Sequence, residues 1–141
     1  MRYLAIDLGE KRTGLAMGTD VTRQAQPLRV VEAGDETERL GAIEQAIGEY
    51  APDALVLGLP LHMDGSEGPM AKQVRRFADQ LGARLGLPVH LVDERLSSEA
   101  ANSAMSQTGL TRGRKKRVRD AVAAATILRD FLERDGGARS E

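Results

Sequence analysis

Three separated segments each set an acidic residue beside an apolar stretch: Ala5-Ile6-Asp7-Leu8-Gly9, Val92-Asp93-Glu94-Arg95, and Asp120 ahead of Ala121-Val122-Ala123-Ala124-Ala125. A carboxylate at a strand end projects from a rigid support, and three that converge supply hard oxygen ligands for divalent cations. Metal-assisted phosphoryl transfer is the chemistry such a site serves. The residues alone leave open whether Asp93 or Glu94 is the middle acid.

Basic residues lie next to these acids. Residues 112–119 read Arg-Gly-Arg-Lys-Lys-Arg-Val-Arg, six cations in eight positions, and run straight into Asp120. The formal net charge is only −1, so the positive field is local, and its placement points to a polyanionic partner. A run of cations is as often a solvated helix face, but adjacency to a candidate catalytic acid favours phosphate contact. The candidate nucleic-acid contacts are Arg114, Lys115, Lys116 and Arg117, joined by Lys11 and Arg12 after Asp7 and by Arg95, whose guanidinium can clamp a phosphate bidentately.

Composition narrows the field further. A chain of 141 residues, 41% apolar and 29% charged, suits one compact domain. No apolar run approaches the roughly 20 residues that span a bilayer, and the first residues lack the pattern of a secretory signal, so a cytoplasmic protein with no membrane partner is expected. The absence of cysteine excludes a disulfide framework, a thiol nucleophile and a cysteine zinc site, and His62 and His90 are too few for a histidine-rich metal centre. With 3% aromatic residues there is little to stack on bases, so recognition should rest on phosphate, sugar and shape.

The elements that must hold these groups follow from the residue pattern. Tyr3–Ile6 and Thr13–Met17 read as two strands joined by a turn, and residues 27–33 as a third strand of the same meander. Asp35 is placed as an N-cap with Glu38 completing a capping box, and Leu40, Ile43, Ala46 and Ile47 recur at helical spacing, which predicts a helix over 36–50. The apolar run within 52–60 suits a strand covered on both faces, and the loop from Leu61 to Pro69 carries the turn signals Asp64-Gly65 and Gly68-Pro69. Gly58, Pro60, Asp64 and Gly65 are expected to shape a loop beside the site, with His62 in a structural role. From Met70 to Leu85 one apolar stripe predicts an amphipathic helix stopped by Gly86, after which Pro88–Val92 is a buried strand. This is a βαβ unit with a right-handed crossover. Ser97 or Ser98 begins a short helix to Gln107, and a last helix over 118–132 carries Asp120 in its first or second turn.

The order β-β-β-α-β-α-β-α-α predicts an α/β fold: a five-stranded mixed sheet, antiparallel through its first three strands and parallel after, with helices on both faces. Parallel strands bring their carboxyl ends to one edge, where ligands bind in open α/β sheets. Asp7 and Glu94 belong at that edge, and the last helix must bring Asp120 alongside. Residues 1–134 make the expected single domain, and 135–141 a flexible polar tail.

Four stretches then match a known family: Ala5 to Ala16 (Ala-Ile-Asp-Leu-Gly-Glu-Lys-Arg-Thr-Gly-Leu-Ala), Val56 to Gly65, Val92 to Ser98, and Asp120 to Leu128. In this order and spacing the chain resembles the YqgF/RuvX family, ribonuclease-H-like proteins known as pre-16S rRNA nucleases and as Holliday junction resolvases. The resemblance implies a catalytic and metal-binding set of Asp7, Glu94 and Asp120, and it favours Glu94 over Asp93. It also implies a two-metal phosphodiester endonuclease acting on the 5′ end of pre-16S rRNA or, alternatively, on branched DNA. Ribosomal particles are a further implied partner, and the chain would act as a monomer or a homodimer, junction resolution requiring the latter. Hard oxygen ligands favour Mg²⁺ or Mn²⁺ over zinc, with Asp93 or a substrate phosphate available to complete the coordination.

Each acid has a plainer reading. Asp7 can simply open a hairpin turn, Glu94 can pair with a neighbouring base, and Asp120 can be an anion near a helix N-terminus, an effect of roughly 0.3–1 kcal/mol. Two other functions compete. A non-catalytic nucleic-acid-binding module would keep the fold and the basic tract, but all three acids are present. An actin-like ATPase needs a second lobe that one 141-residue domain lacks.

Overall fold

A computed structural model describes residues 1–9, 11–94 and 112–136, the side chains of 112–119 and 135–136 lying outside that description. Strands β1 (Arg2–Leu8), β2 (Arg12–Thr19), β3 (Ala25–Glu32), β4 (Ala54–Leu59) and β5 (Val89–Asp93) form one sheet in the order β3-β2-β1-β4-β5. The pairs β1–β2 and β2–β3 are antiparallel, while β1–β4 and β4–β5 are parallel. Helices α1 (Glu36–Tyr50), α2 (Pro69–Leu85) and α3 (Arg112–Phe131) cover both faces. The expected mixed α/β sheet is what the chain adopts.

Strand alternation divides the core in two. Leu4, Ile6 and Leu8 of β1 and Leu55, Leu57 and Leu59 of β4 pack against Ile43 and Ile47 of α1 and Val74, Phe77 and Leu81 of α2. The other face presents Tyr3, Ala5, Ala16 and Val56 to Ala124, Ile127, Leu128 and Phe131 of α3. Alanines on both partners let α3 lie close to the sheet as it crosses β1 to β4. β4, covered on both sides, is buried along its whole length.

Helix ends follow the sequence closely. Asp35 accepts a hydrogen bond from the Glu38 N–H at 2.8 Å, and Glu38 in turn accepts from the Gly34 N–H at 2.7 Å. The reciprocal bond of the capping box therefore falls one residue earlier than expected, because the extended backbone at Asp35 presents Gly34 to the first turn. α2 opens with Pro69 after Gly68 and closes at Gly86, whose φ of 67° is the left-handed conformation glycine tolerates.

Two expectations about the C-terminal part are corrected. α3 begins at Arg112 instead of 118, so the basic tract forms its first two turns and Asp120 lies in the third. The apolar stripe starts only at Val118, whereas Arg and Lys are good helix formers and carry the helix back to Arg112 without adding to that stripe. Helical bonding also continues as a π-turn over Leu132–Gly136, two residues into the segment expected to be tail, anchored by the fully buried Leu132. The short helix expected from Ser97 or Ser98 to Gln107, and tail residues 137–141, lie outside the described residues. Among the described residues no helix is long and apolar enough to cross a membrane.

Candidate active site

Asp7 is the penultimate residue of β1 and sits directly across from Gly14 of β2. It shares a face with Tyr3 and Ala5, which places it on the α3 side of the sheet. On β5, His90 packs against Phe131 of α3 with ring centroids 4.9 Å apart, and Val92 joins the same cluster. Continuing that alternation puts Glu94 on the α3 face and Asp93 on the opposite one with Val89. Glu94 hydrogen-bonds Asp7.

Strand order makes this contact demanding, since β4 lies between β1 and β5. Gly58 resolves it. A Cβ at Gly58 would lie 2.6 Å from Ile127 Cδ1 and 3.4 Å from Glu94 Oε2, so the missing side chain leaves a gap through which the two carboxyl groups meet. Gly58 thus acts from within the strand, and not from the loop it was expected to shape. Gly14 plays a parallel part: a Cβ there would run into the Asp120 carbonyl, so the α3 backbone rests on β2 directly across from Asp7. Sequence reasoning passes over Gly14, although a glycine inside an otherwise apolar strand is itself a sign of close backbone approach.

The environment keeps Asp7 protonated. Burial, then the hydrogen bond to Glu94 and its negative charge, push Asp7 up from 3.8 to about 9. At neutral pH Asp7 therefore carries a proton. Apposed carboxylates are also the donor set that a hard divalent cation takes up by displacing that proton, so the residues fit such an ion.

Asp120 stands beside the pair. Its Oδ2 lies 3.2 Å from Arg12 Nε, and the two side chains are 28% and 33% exposed. The Gly9 N–H donates to the Arg12 carbonyl at 3.0 Å, closing the turn between β1 and β2. Gly9, Lys11, Arg12 and Asp120 line an open cleft of about 230 Å³. Arg12, expected to meet phosphate, is therefore paired with a candidate acid. Among the described residues no three His, Cys, Asp or Glu side chains are grouped to hold a metal: the expected triad appears as a contacting pair with Asp120 alongside. Arg114, Lys115, Lys116 and Arg117 lie on the first two turns of α3, and Arg95 falls outside the described residues.

The loop after β4 is tightly built. Leu61 bridges to Glu67, and Asp64 accepts from the Ser66 N–H at 2.9 Å and the Ser66 hydroxyl at 2.6 Å, which holds its carboxyl below the usual range. Gly65 takes a φ of 88° to complete the turn. The His62 ring packs on Gly68, where a Cβ would lie 2.6 Å from Nε2, and this is a shaping role as expected.

Sheet order and helical cover define a ribonuclease-H-like protein. The RuvC of T. thermophilus in complex with a Holliday junction substrate superposes with a TM-score of 0.59 at 16% identity, covering 99% of this chain and 96% of that one. The fowlpox virus Holliday junction resolvase gives 0.60 at 11% identity, with 94% and 99% covered. The family model described as "RuvX: Holliday junction resolvase" matches residues 1–134, and the chain belongs to that family. A relative from Anaeromyxobacter sp. (strain K) named "Putative pre-16S rRNA nuclease" is 45% identical over 134 residues, spanning 95% of this chain and 98% of its own length. One of the same name from Burkholderia multivorans is 42% identical over 130 residues, spanning 92% and 87%.

Proposed function

We propose that this protein is a Mg²⁺- or Mn²⁺-dependent endonuclease for structured nucleic acid that processes the 5′ end of pre-16S rRNA, with Asp7, Glu94 and Asp120 as its catalytic acids. The contact of Asp7 with Glu94 through the Gly58 gap carries this reading. Two half-buried acids held together at the carboxyl edge of a sheet destabilise each other unless a cation or a proton joins them. The names of the relatives at 45% and 42% identity favour pre-16S rRNA as substrate; ribosomal particles as partner and the cytoplasm as setting complete the proposal.

Asp7, Glu94 and Asp120 would hold the metal, which when bound supplies Lewis-acid and water-activating chemistry. The chain does the rest. Strand ends and the close-packed α3 fix the carboxylates, and burial around Asp7 strengthens every charge interaction at the reacting phosphate. Lys11 and Arg12 line the adjoining cleft and would grip the backbone of the substrate. Arg95 and the tract from Arg114 to Arg117 add phosphate contacts that draw in a polyanion without reading its sequence.

The family description favours a second reading, resolution of DNA four-way junctions by a homodimer. Incubating the protein and Mg²⁺ or Mn²⁺ with purified pre-16S RNA and with a four-way DNA junction, in parallel with Asp7→Asn, separates the two. RNA cleavage that disappears in the variant is the expected result. Junction cleavage alone would move the assignment to the second reading, and undiminished cleavage by the variant would remove both.

A further inference from the structure

We infer that Arg12 is a positioning residue that holds Asp120 in reserve and hands it to the Asp7–Glu94 pair when a substrate phosphate takes the guanidinium. The inference rests on the nuclease reading and deepens it by coupling nucleic-acid binding to metal binding.

Three observations carry it. The Asp120 backbone is pressed onto Gly14, itself directly across from Asp7, so the main chain at Asp120 is fixed beside the strand pair that carries Asp7. That side chain is engaged by Arg12 Nε at 3.2 Å. Both groups face an open cleft that Lys11 also lines, so an incoming phosphate can reach the guanidinium without unfolding anything.

The chemistry of the exchange follows. A guanidinium satisfies carboxylate and phosphate oxygens through the same N–H groups, so a phosphate in the cleft competes with Asp120 for Arg12. Once the Arg12 guanidinium is drawn to the phosphate, Asp120 is more strongly attracted to a cation at the neighbouring acids. Before that, Arg12 competes with the cation for Asp120 and repels it. Metal and nucleic acid therefore favour each other's binding, and by linkage the factor is the same in both directions.

Calorimetric titration of the full chain with Mn²⁺, alone and with a slowly cleaved phosphorothioate RNA hairpin, tests this. In the wild type the hairpin should tighten Mn²⁺ binding about tenfold, within the roughly 5–150-fold range of such couplings. Arg12→Gln should bind Mn²⁺ several-fold more tightly than wild type without RNA, and the hairpin should then add little. Arg12→Lys keeps a positive charge and should restore the weaker Mn²⁺ binding and part of the coupling, which a purely structural role for Arg12 would not produce. Unchanged or weaker Mn²⁺ binding by Arg12→Gln, with coupling intact, overturns the exchange while leaving the nuclease reading standing. Failure of the hairpin to bind any of the three proteins would sink the nuclease reading and the exchange with it.

Discussion

Asp7 on β1 and Glu94 beyond β5 hydrogen-bond to each other across an intervening strand, through the gap left by Gly58. Neither acid would choose this neighbour in a protein built only to fold. The contact makes the stability of the domain sensitive to pH.

Asp7 is raised in the fold from 3.8 to about 9, so between those values the folded state holds more protons than the unfolded one. Stability of the metal-free protein should accordingly fall as pH rises through that window and level off above it. Thermal melts at pH 5 and pH 9 in chelator should show the decline, and Asp7→Asn should flatten it and raise the melting temperature at pH 9. A gain of about 1–2 kcal/mol corresponds to several degrees for a domain of this size.

A metal taken up by Asp7 at neutral pH must expel its proton. Calorimetry of Mg²⁺ or Mn²⁺ binding at pH 7, repeated in buffers of different ionisation enthalpy, should show release of about one proton per chain. Asp7→Asn should release none. Heats independent of the buffer would contradict a protonated Asp7.

The two site glycines should respond differently to alanine. Gly14→Ala drives a Cβ into the Asp120 backbone, which cannot yield without lifting α3 from the sheet, and a destabilisation of about 3 kcal/mol or more is expected in chemical denaturation. Gly58→Ala meets the end of the Ile127 side chain and the Glu94 carboxylate, so stability drops by about 1–2 kcal/mol while cleavage falls further than stability explains. Gly41 and Gly48 of α1 have open space at Cβ, and alanine there should stabilise by about 0.5–1 kcal/mol each.

Neutralising Arg114, Lys115, Lys116 and Arg117 together should weaken binding to any structured nucleic acid. The slope of log affinity against log salt should shrink by about 0.7–0.9 for each phosphate that the tract no longer neutralises. An unaltered slope would return the tract to a solvated helix face.

Periodicity is enough to place all five strands and the first two long helices, since each apolar stripe is wide enough to bury one face and its ends carry their own stop signals at Asp35, Gly34 and Gly86. It misjudges α3 because a run of Arg and Lys leaves no apolar signature by which to place the start of a helix. Alternation in β5 separates Asp93 from Glu94 only once His90 and Val92 are known to face α3, and no local pattern says which face that is.

By itself, then, the sequence determined which residue types are available for chemistry, the mixed sheet that holds them and the edge at which Asp7 must end. Tertiary structure decided the pairings. That Glu94 meets Asp7 through Gly58, and that Asp120 is laid on Gly14 and bound by Arg12, depends on strand order and helix packing between residues far apart in the chain. Such contacts are set by whole surfaces coming together, and no window of sequence contains both partners.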